Sequence, residues 1–265
     1  MVAICFFSDK GRMRGWGGGF RHWLGGVVTF VVWSFCSAGW AMDAGELLRS
    51  VDRKLHAASY ESFNRVTFEL PNGRQRHVTL YTAHASGRKG LLVVVSPEEL
   101  RGRAVLKVGD EVWMHMPGEL ETRKTSLMLS VVGGVFNNAD FLLGDFSDEY
   151  EATLVGEEAS FWKLSLKPRF ATAPYVRMEL KVDKQSRVPL ELIQFDPSGF
   201  ALKTIHYRDP QSSDGTHLMP MVMETASGLN AGYRSTWRVG RAESREFPAD
   251  AFTREFLPHA GRLLK

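Results

Sequence analysis

From residue 62 to residue 243 the apolar pattern mostly repeats every second residue, and turn residues interrupt it at short intervals. Successive side chains of a strand point to opposite faces, so this period demands sheet. "SFNRVTFEL" (62–70), the turn "PNG" (71–73) and "RQRHVTLYTA" (74–83) carry a hairpin pattern. "RKGLLVVVS" (88–96) reads as a buried strand, and "RAVLKV" (103–108), the Gly109-Asp110 tip and "EVWMHM" (111–116) as a second hairpin. Strands resume at 150–156 and continue through 160–168, 174–183, 188–196, 200–209, 216–225 and 232–243. About eleven antiparallel strands are expected, too many for a flat sheet, which must curl or close on itself.

Few segments leave this pattern. Leu47, Leu48, Val51 and Leu55 fall at helical spacing within 43–57, behind a capping Asp43. Residues 127–150 are apolar without alternation and contain Gly133 and Gly134, which suggests short helices around a flexible joint. Residues 247–257 read as a closing helical turn. There is no internal repeat and no sign of a second domain.

The first 41 residues read as a secretory signal peptide. Lys10, Arg12, Arg14 and Arg21 precede an apolar run from Trp23 to Phe35, and small residues follow at Gly39 and Ala41. Cleavage after Ala41 would leave one domain, 42–265, in an oxidising space; left uncleaved, the same segment would be an anchor. The leader holds four of the 33 basic residues and one of the 30 acidic ones, so 29 of each remain and the net charge falls from +3 to zero. A neutral balance argues against a nucleic-acid partner, whose phosphates need a positive surface. Cys5 and Cys36 both lie in the leader, so 42–265 has no disulfide, no thiol nucleophile and no thiolate metal site.

Catalytic signatures are missing. There is no GxSxG, HExxH or phosphate-binding glycine loop. His56, His77, His84, His115, His206, His217 and His259 have no His, Asp or Glu partner at ligand spacing. Asp140, Asp145, Asp148, Glu149 and Glu151 lack the spacing of a calcium loop and read as capping and solvated carboxylates. No metal, cofactor or catalytic residue is expected.

The informative signal is apolar. One strand sends Val176, Met178, Leu180 and Val182 to one face; another sends Trp162, Leu164 and Leu166 together; a third sends Met219, Met221 and Met223. "DEVWMHMPG" (110–118) puts Val112, Met114 and Met116 on one face and Trp113 and His115 on the other. Methionine is unbranched and polarizable, so a methionine wall can mould to variable shapes. Two or three helices are little cover for so many strands, which points to a concave interior that is partly unfilled.

"SPEELRGRAVLKVGDEVWMHMPG" and "NADFLLGDFSDEYEATL" resemble the outer-membrane lipoprotein-sorting protein family, the LolA-like superfamily. The matching positions are Pro97, Arg101, Gly102, Gly109, Asp110, Trp113, Met116 and Pro117, then Ala139, Asp140, Phe141, Asp145 and Tyr150, with Pro189 and Gly199 later. His115 departs from the aromatic residue common there, whereas Arg123 and Lys124 keep the basic character after the strand. The resemblance spans residues 45 to 257. It implies an incomplete, half-open antiparallel β-barrel with an N-terminal helix and a helical lid insertion. It also implies a non-catalytic periplasmic carrier of lipid or acylated lipoprotein cargo that serves an outer-membrane acceptor or an inner-membrane exporter.

Physical reasoning supports such a carrier, because each exposed acyl methylene costs about 0.8 kcal/mol in water. Expected cavity residues are Val112, Met114, Met116, Trp162, Leu164, Met178, Leu180, Met219, Met221 and Met223. Expected lid and hinge residues are Gly133, Gly134, Phe136, Phe141 and Leu142. A monomer suffices for this role. The competing readings are an accessory interaction module of an exporter, with a filled core and an exposed apolar patch, and an enzyme on an apolar substrate, with a His or carboxylate pair in the hollow.

Overall fold

The computed structural model describes residues 43–212 and 214–264, so the expected signal peptide lies outside the described residues. Helix α1 (Ala44–Leu55) opens on Asp43, whose carboxylate accepts the Gly45 N–H at 3.1 Å, and buries Leu47, Leu48 and Val51.

Thirteen antiparallel strands follow among the described residues, in one sheet. In chain order they are β1 (Tyr60–Glu69), β2 (Gln75–Ala85), β3 (Lys89–Ser96), β4 (Ala104–Val108), β5 (Glu111–His115), β6 (Arg123–Lys124), β7 (Tyr150–Glu157), β8 (Phe161–Pro168), β9 (Arg177–Asp183), β10 (Pro189–Phe195), β11 (Ala201–Gln211), β12 (Met219–Ser227) and β13 (Arg234–Ser244). In space they run β6-β5-β4-β3-β2-β1-β13-β12-β11-β10-β9-β8-β7. β1 and β13 pair along their whole lengths in mid-sheet, which leaves β6 and β7 as free edges and the sheet unclosed. The count exceeds the expected eleven. Twelve of the thirteen fall on the twelve segments where strands are read above; the other, β6, has only two residues, too few for alternation to reveal. Its shortness and charge suit an edge that must not recruit another chain.

The two halves of the sheet are covered differently, and this explains the two-faced strand at 110–118. On the concave side Val78, Leu80, Leu92, Val94, Val105 and Val112 join the main core, with Met114 packed against it. On the other side Tyr81, Ala83, Leu91, Val93, Ala104 and Leu106 form a second core with Ala251, Phe256, Leu257, Ala260 and Leu263. Trp113 packs there. A C-terminal segment ending in the 3-10 helix Leu257–Leu264 therefore roofs β2–β5, so these strands are apolar on both faces. The segment 247–257 is a series of turns rather than a single helical turn.

β7–β12 keep an open outer face. Lys163–Glu179 (2.8 Å), Lys181–Glu191 (2.7 Å) and Arg208–Glu224 (2.8 Å) tie neighbouring strands across it. Such exposed pairs are worth about 0–1 kcal/mol each. Inside, Trp162, Leu164, Leu166, Met178, Leu180 and Val182 are buried, as alternation requires. Val176 is a correction: β9 starts one residue later, and Val176 is exposed.

Between β6 and β7 the chain crosses the concave face. It forms α2 (Asn138–Leu142) and α3 (Phe146–Glu149). Two glycines allow the close approach. A Cβ on Gly90 would lie 2.6 Å from the Leu142 carbonyl oxygen, and one on Gly134 would lie 2.0 Å from the Phe68 ring. Gly134 and Gly133 also hold φ of 81°, a conformation costly for other residues.

Candidate functional site: an apolar hollow under the helical insertion

A hollow of about 130 Å³ lies between the concave face and the insertion. Met178, Leu192, Ile205, Met223, Trp237 and Val239 contribute from the sheet, Phe136 and Phe141 from the insertion, and Leu55 from the end of α1. The aromatic groups pack on one another: Phe141 lies 4.8 Å and Phe136 5.9 Å from the Trp237 ring.

A buried polar cluster fastens the insertion at one end. Asn137 and Asp140 form a capping box at the start of α2, in which the Asn137 N–H donates to Asp140 Oδ2 at 2.8 Å. Lys203 Nζ donates to the same carboxylate and, at 3.2 Å, to the Val135 carbonyl. The side chains of Lys203 and Asp140 are 4% and 1% exposed. The Tyr175 hydroxyl donates to Asn137 Oδ1 at 3.0 Å, and Gln194 Nε2 to Asp140 Oδ1 at 3.1 Å. The sequence carries a signal for this cluster. Lys203 and Gln194 occupy positions that face inward together with Ile205 and Leu192, where a polar residue needs a partner.

A second cluster fastens the other end. Asp52 of α1 accepts the N–H groups of Phe146 and Ser147, both at 2.9 Å, and so caps α3 from a different helix. Burial pushes its carboxyl up to about 6, against the pull of those two bonds. The rings of His56, Tyr60 and His84 stack in a row, with centroids 4.2 and 4.7 Å apart. His56 Nε2 lies 3.7 Å from Asp145 Oδ1. Burial lowers His56 and drives His84 down to about 3, so both imidazoles are neutral at pH 7.

These contacts correct the reading of lone histidines. His56 meets Asp145, and His217 meets Asp214 at 2.6 Å. They also correct the solvated carboxylates. Besides Asp140, Glu149 is buried, paired with Lys107 at 2.5 Å and with Arg88 at 2.8 and 2.9 Å.

Among the described residues no three His, Cys, Asp or Glu side chains come together in a way that could hold a metal ion. No helix among them is long and apolar enough to cross a membrane.

Similarity to known proteins agrees with this geometry. A LolA superfamily protein from Nitrosomonas europaea matches at a TM-score of 0.75 and 20% identity, covering 82% of this chain and 100% of that one. A putative outer membrane lipoprotein-sorting protein domain from Vibrio parahaemolyticus matches at 0.70 and 15%, covering 81% and 98%. A DUF1329 family protein from Desulfovibrio piger matches at 0.68 and 19%, covering 81% and 97%. A family model described as that of an uncharacterized protein spans residues 86–259. The chain belongs to this family, and its fold is LolA-like. No curated protein matches it.

Within this LolA-like fold the expected cavity residues separate. Met178, Met219 and Met223 line the hollow, as do Phe136 and Phe141 of the insertion. Trp162, Leu164 and Leu180 are buried in the same core without reaching the hollow, and Met221 packs against that core. Val112 and Met114 belong to the concave-side core at the far part of the sheet, while Met116 follows the end of β5, partly buried. Leu142 is buried against β3 rather than lining the hollow, and Gly133 and Gly134 sit in the tethered stretch before α2. That stretch is pinned by Asn138 Oδ1 accepting the Val131 N–H (3.1 Å) and Ser235 Oγ accepting the Val135 N–H (3.1 Å).

His84 gives the site a measurable pH signature. Its folded pKa of about 3 lies below the ordinary imidazole value of about 6.5, so the stability it carries is present above pH 6.5 and is lost as pH falls towards 3. Asp52, raised to about 6, acts in the opposite sense between about pH 4 and 6. The difference between variants isolates the histidine. In urea unfolding, His84→Phe should gain on the wild type by ~1.4 kcal/mol per pH unit between pH 6 and 4. A constant difference would show that His84 is not held neutral.

Proposed function

We propose that the protein is a non-catalytic carrier that shields the acyl part of a lipid or lipoprotein in this hollow. It works as a monomer in the periplasm, after loss of the leader. The single observation that carries the reading is the apolar, methionine- and aromatic-lined hollow between an unclosed sheet and a helical insertion fastened at both ends. Proteins of similar fold include the one described as a putative outer membrane lipoprotein-sorting protein domain.

Size adds a condition. An engineered apolar cavity of about 150 Å³ takes one benzene molecule. The hollow here, at about 130 Å³, therefore holds roughly six carbons, whereas a membrane acyl chain has about 14 or more. Loading must displace part of the insertion, which acts as a lid. Leu143–Ser147 is the segment to move, because it is held to α1 by the two Asp52 bonds and the His56–Asp145 contact.

His56 lines the hollow and pairs with Asp145 outside its wall, and such a pair is the feature an enzyme would need. Neither residue hydrogen-bonds a serine or threonine hydroxyl among the described residues, which leaves the pair without a nucleophile to activate. It serves better as a fastening. Delivery to an outer-membrane acceptor or receipt from an exporter follows from the carrier role.

Purified protein should take up a fluorescent fatty acid saturably at one site, and unlabelled palmitate should displace it. Absence of saturable uptake over the soluble range of the fluorophore would end the carrier reading.

A further inference from the structure

We propose that the molecule seated in the hollow carries a hydroxyl group on its apolar body and donates it to Gln194. This rests on the carrier reading and narrows its cargo to hydroxylated lipids. Gln194 is 2% exposed and lines the hollow. Its amide orientation is fixed by chemistry. Asp140, ion-paired with Lys203, can only accept, so Nε2 must face it and Oε1 must face away. Oε1 then has no partner among the described residues, and it is closed off until the wall parts, as loading requires, so a donor on the cargo meets it as the cargo seats. A buried acceptor without a donor is costly, and native structures seldom keep one without reason.

The other polar groups of the wall point the same way. His84 Nδ1 is also buried without a partner, and the Tyr60 and Tyr207 hydroxyls form no hydrogen bond among the described residues. By register these lie towards the other end of the strands. Gln194 is level with Lys203 and Ser227, whereas Tyr207 pairs with Met223 and Tyr60 with His84. An all-carbon chain would leave every one of them unpaired. A hydroxylated one satisfies the deep acceptor, and its remaining polar groups meet imidazole and phenol groups that can donate or accept.

Three probes of nearly one shape suit a hollow of this size: benzene, phenol and anisole. Phenol can donate, anisole can only accept, and benzene does neither. In NMR titrations of the full protein, phenol should bind at least tenfold tighter than either of the others, ~1.4 kcal/mol. Gln194→Met, checked for folding by circular dichroism, should bring the phenol-to-anisole ratio towards one. Should that variant fail to fold, the wild-type comparison of phenol with anisole decides alone. Equal saturable binding of all three overturns the hydroxyl inference and leaves the carrier reading standing. No saturable binding of any of them overturns both.

Discussion

Lys203→Met should destabilise the protein by about 3–5 kcal/mol, because it removes one partner of a buried ion pair and strands the other. The Asp140 carboxylate would keep the Asn137 N–H and the Gln194 amide. It would lose the only cation bonded to it among the described residues, and the Val135 carbonyl would lose a donor as well. The double variant Lys203→Met/Asp140→Asn removes both charges and should recover much of the loss, since a neutral buried pair avoids the desolvation cost of an uncompensated ion. Urea unfolding of the four proteins gives the coupling. Near-additive costs in the two single variants would mean that the pair is solvated. The same measurement bears on function, because Lys203 and Asp140 fasten the start of the insertion to β10 and β11.

Phe141→Ala should move stability and loading in opposite directions. The ring is 1% exposed and packs between Phe136 and Trp237, at 5.8 and 4.8 Å. Truncation of a buried Phe costs about 3–5 kcal/mol, part of it for the void left behind. Here the void would extend an existing hollow. Each further acyl methylene it accepts contributes ~0.8 kcal/mol, so two would tighten fatty-acid binding about tenfold. A weaker fold with tighter binding is the expected result. A weaker fold with unchanged or weaker binding would place Phe141 in a filled core, as an interaction module requires.

Much of the fold was legible because alternation is a local property. Each long strand could be read from its own residues, and the number of strands then demanded a curled sheet. The two-residue β6 was invisible for the same reason. The covering of β2–β5 was only half legible. Trp113 and Met114 advertised two apolar faces, but the residues that roof the Trp113 side lie about 140 positions later in the chain. The hollow was less legible still. Alternation places Met114, Met178 and Met223 on inward faces, yet only the coiling of the sheet decides which of them border empty space. Met178 and Met223 do; Met114, partly buried, packs against the core away from the hollow. The fastenings of the insertion were hardest, because Lys203–Asp140 and Asp52–Phe146 join residues 63 and 94 positions apart. A lysine on the apolar face of a strand, as at Lys203 and Lys107, was the available hint.

The carrier account is tested most directly by lipid extraction and mass spectrometry of the purified, natively folded protein. A lipid species recovered near one per protein, absent from a Phe141→Trp variant built to block the hollow, is the result the account predicts. Protein that carries no lipid, and still carries none after incubation with lipid vesicles, would contradict it.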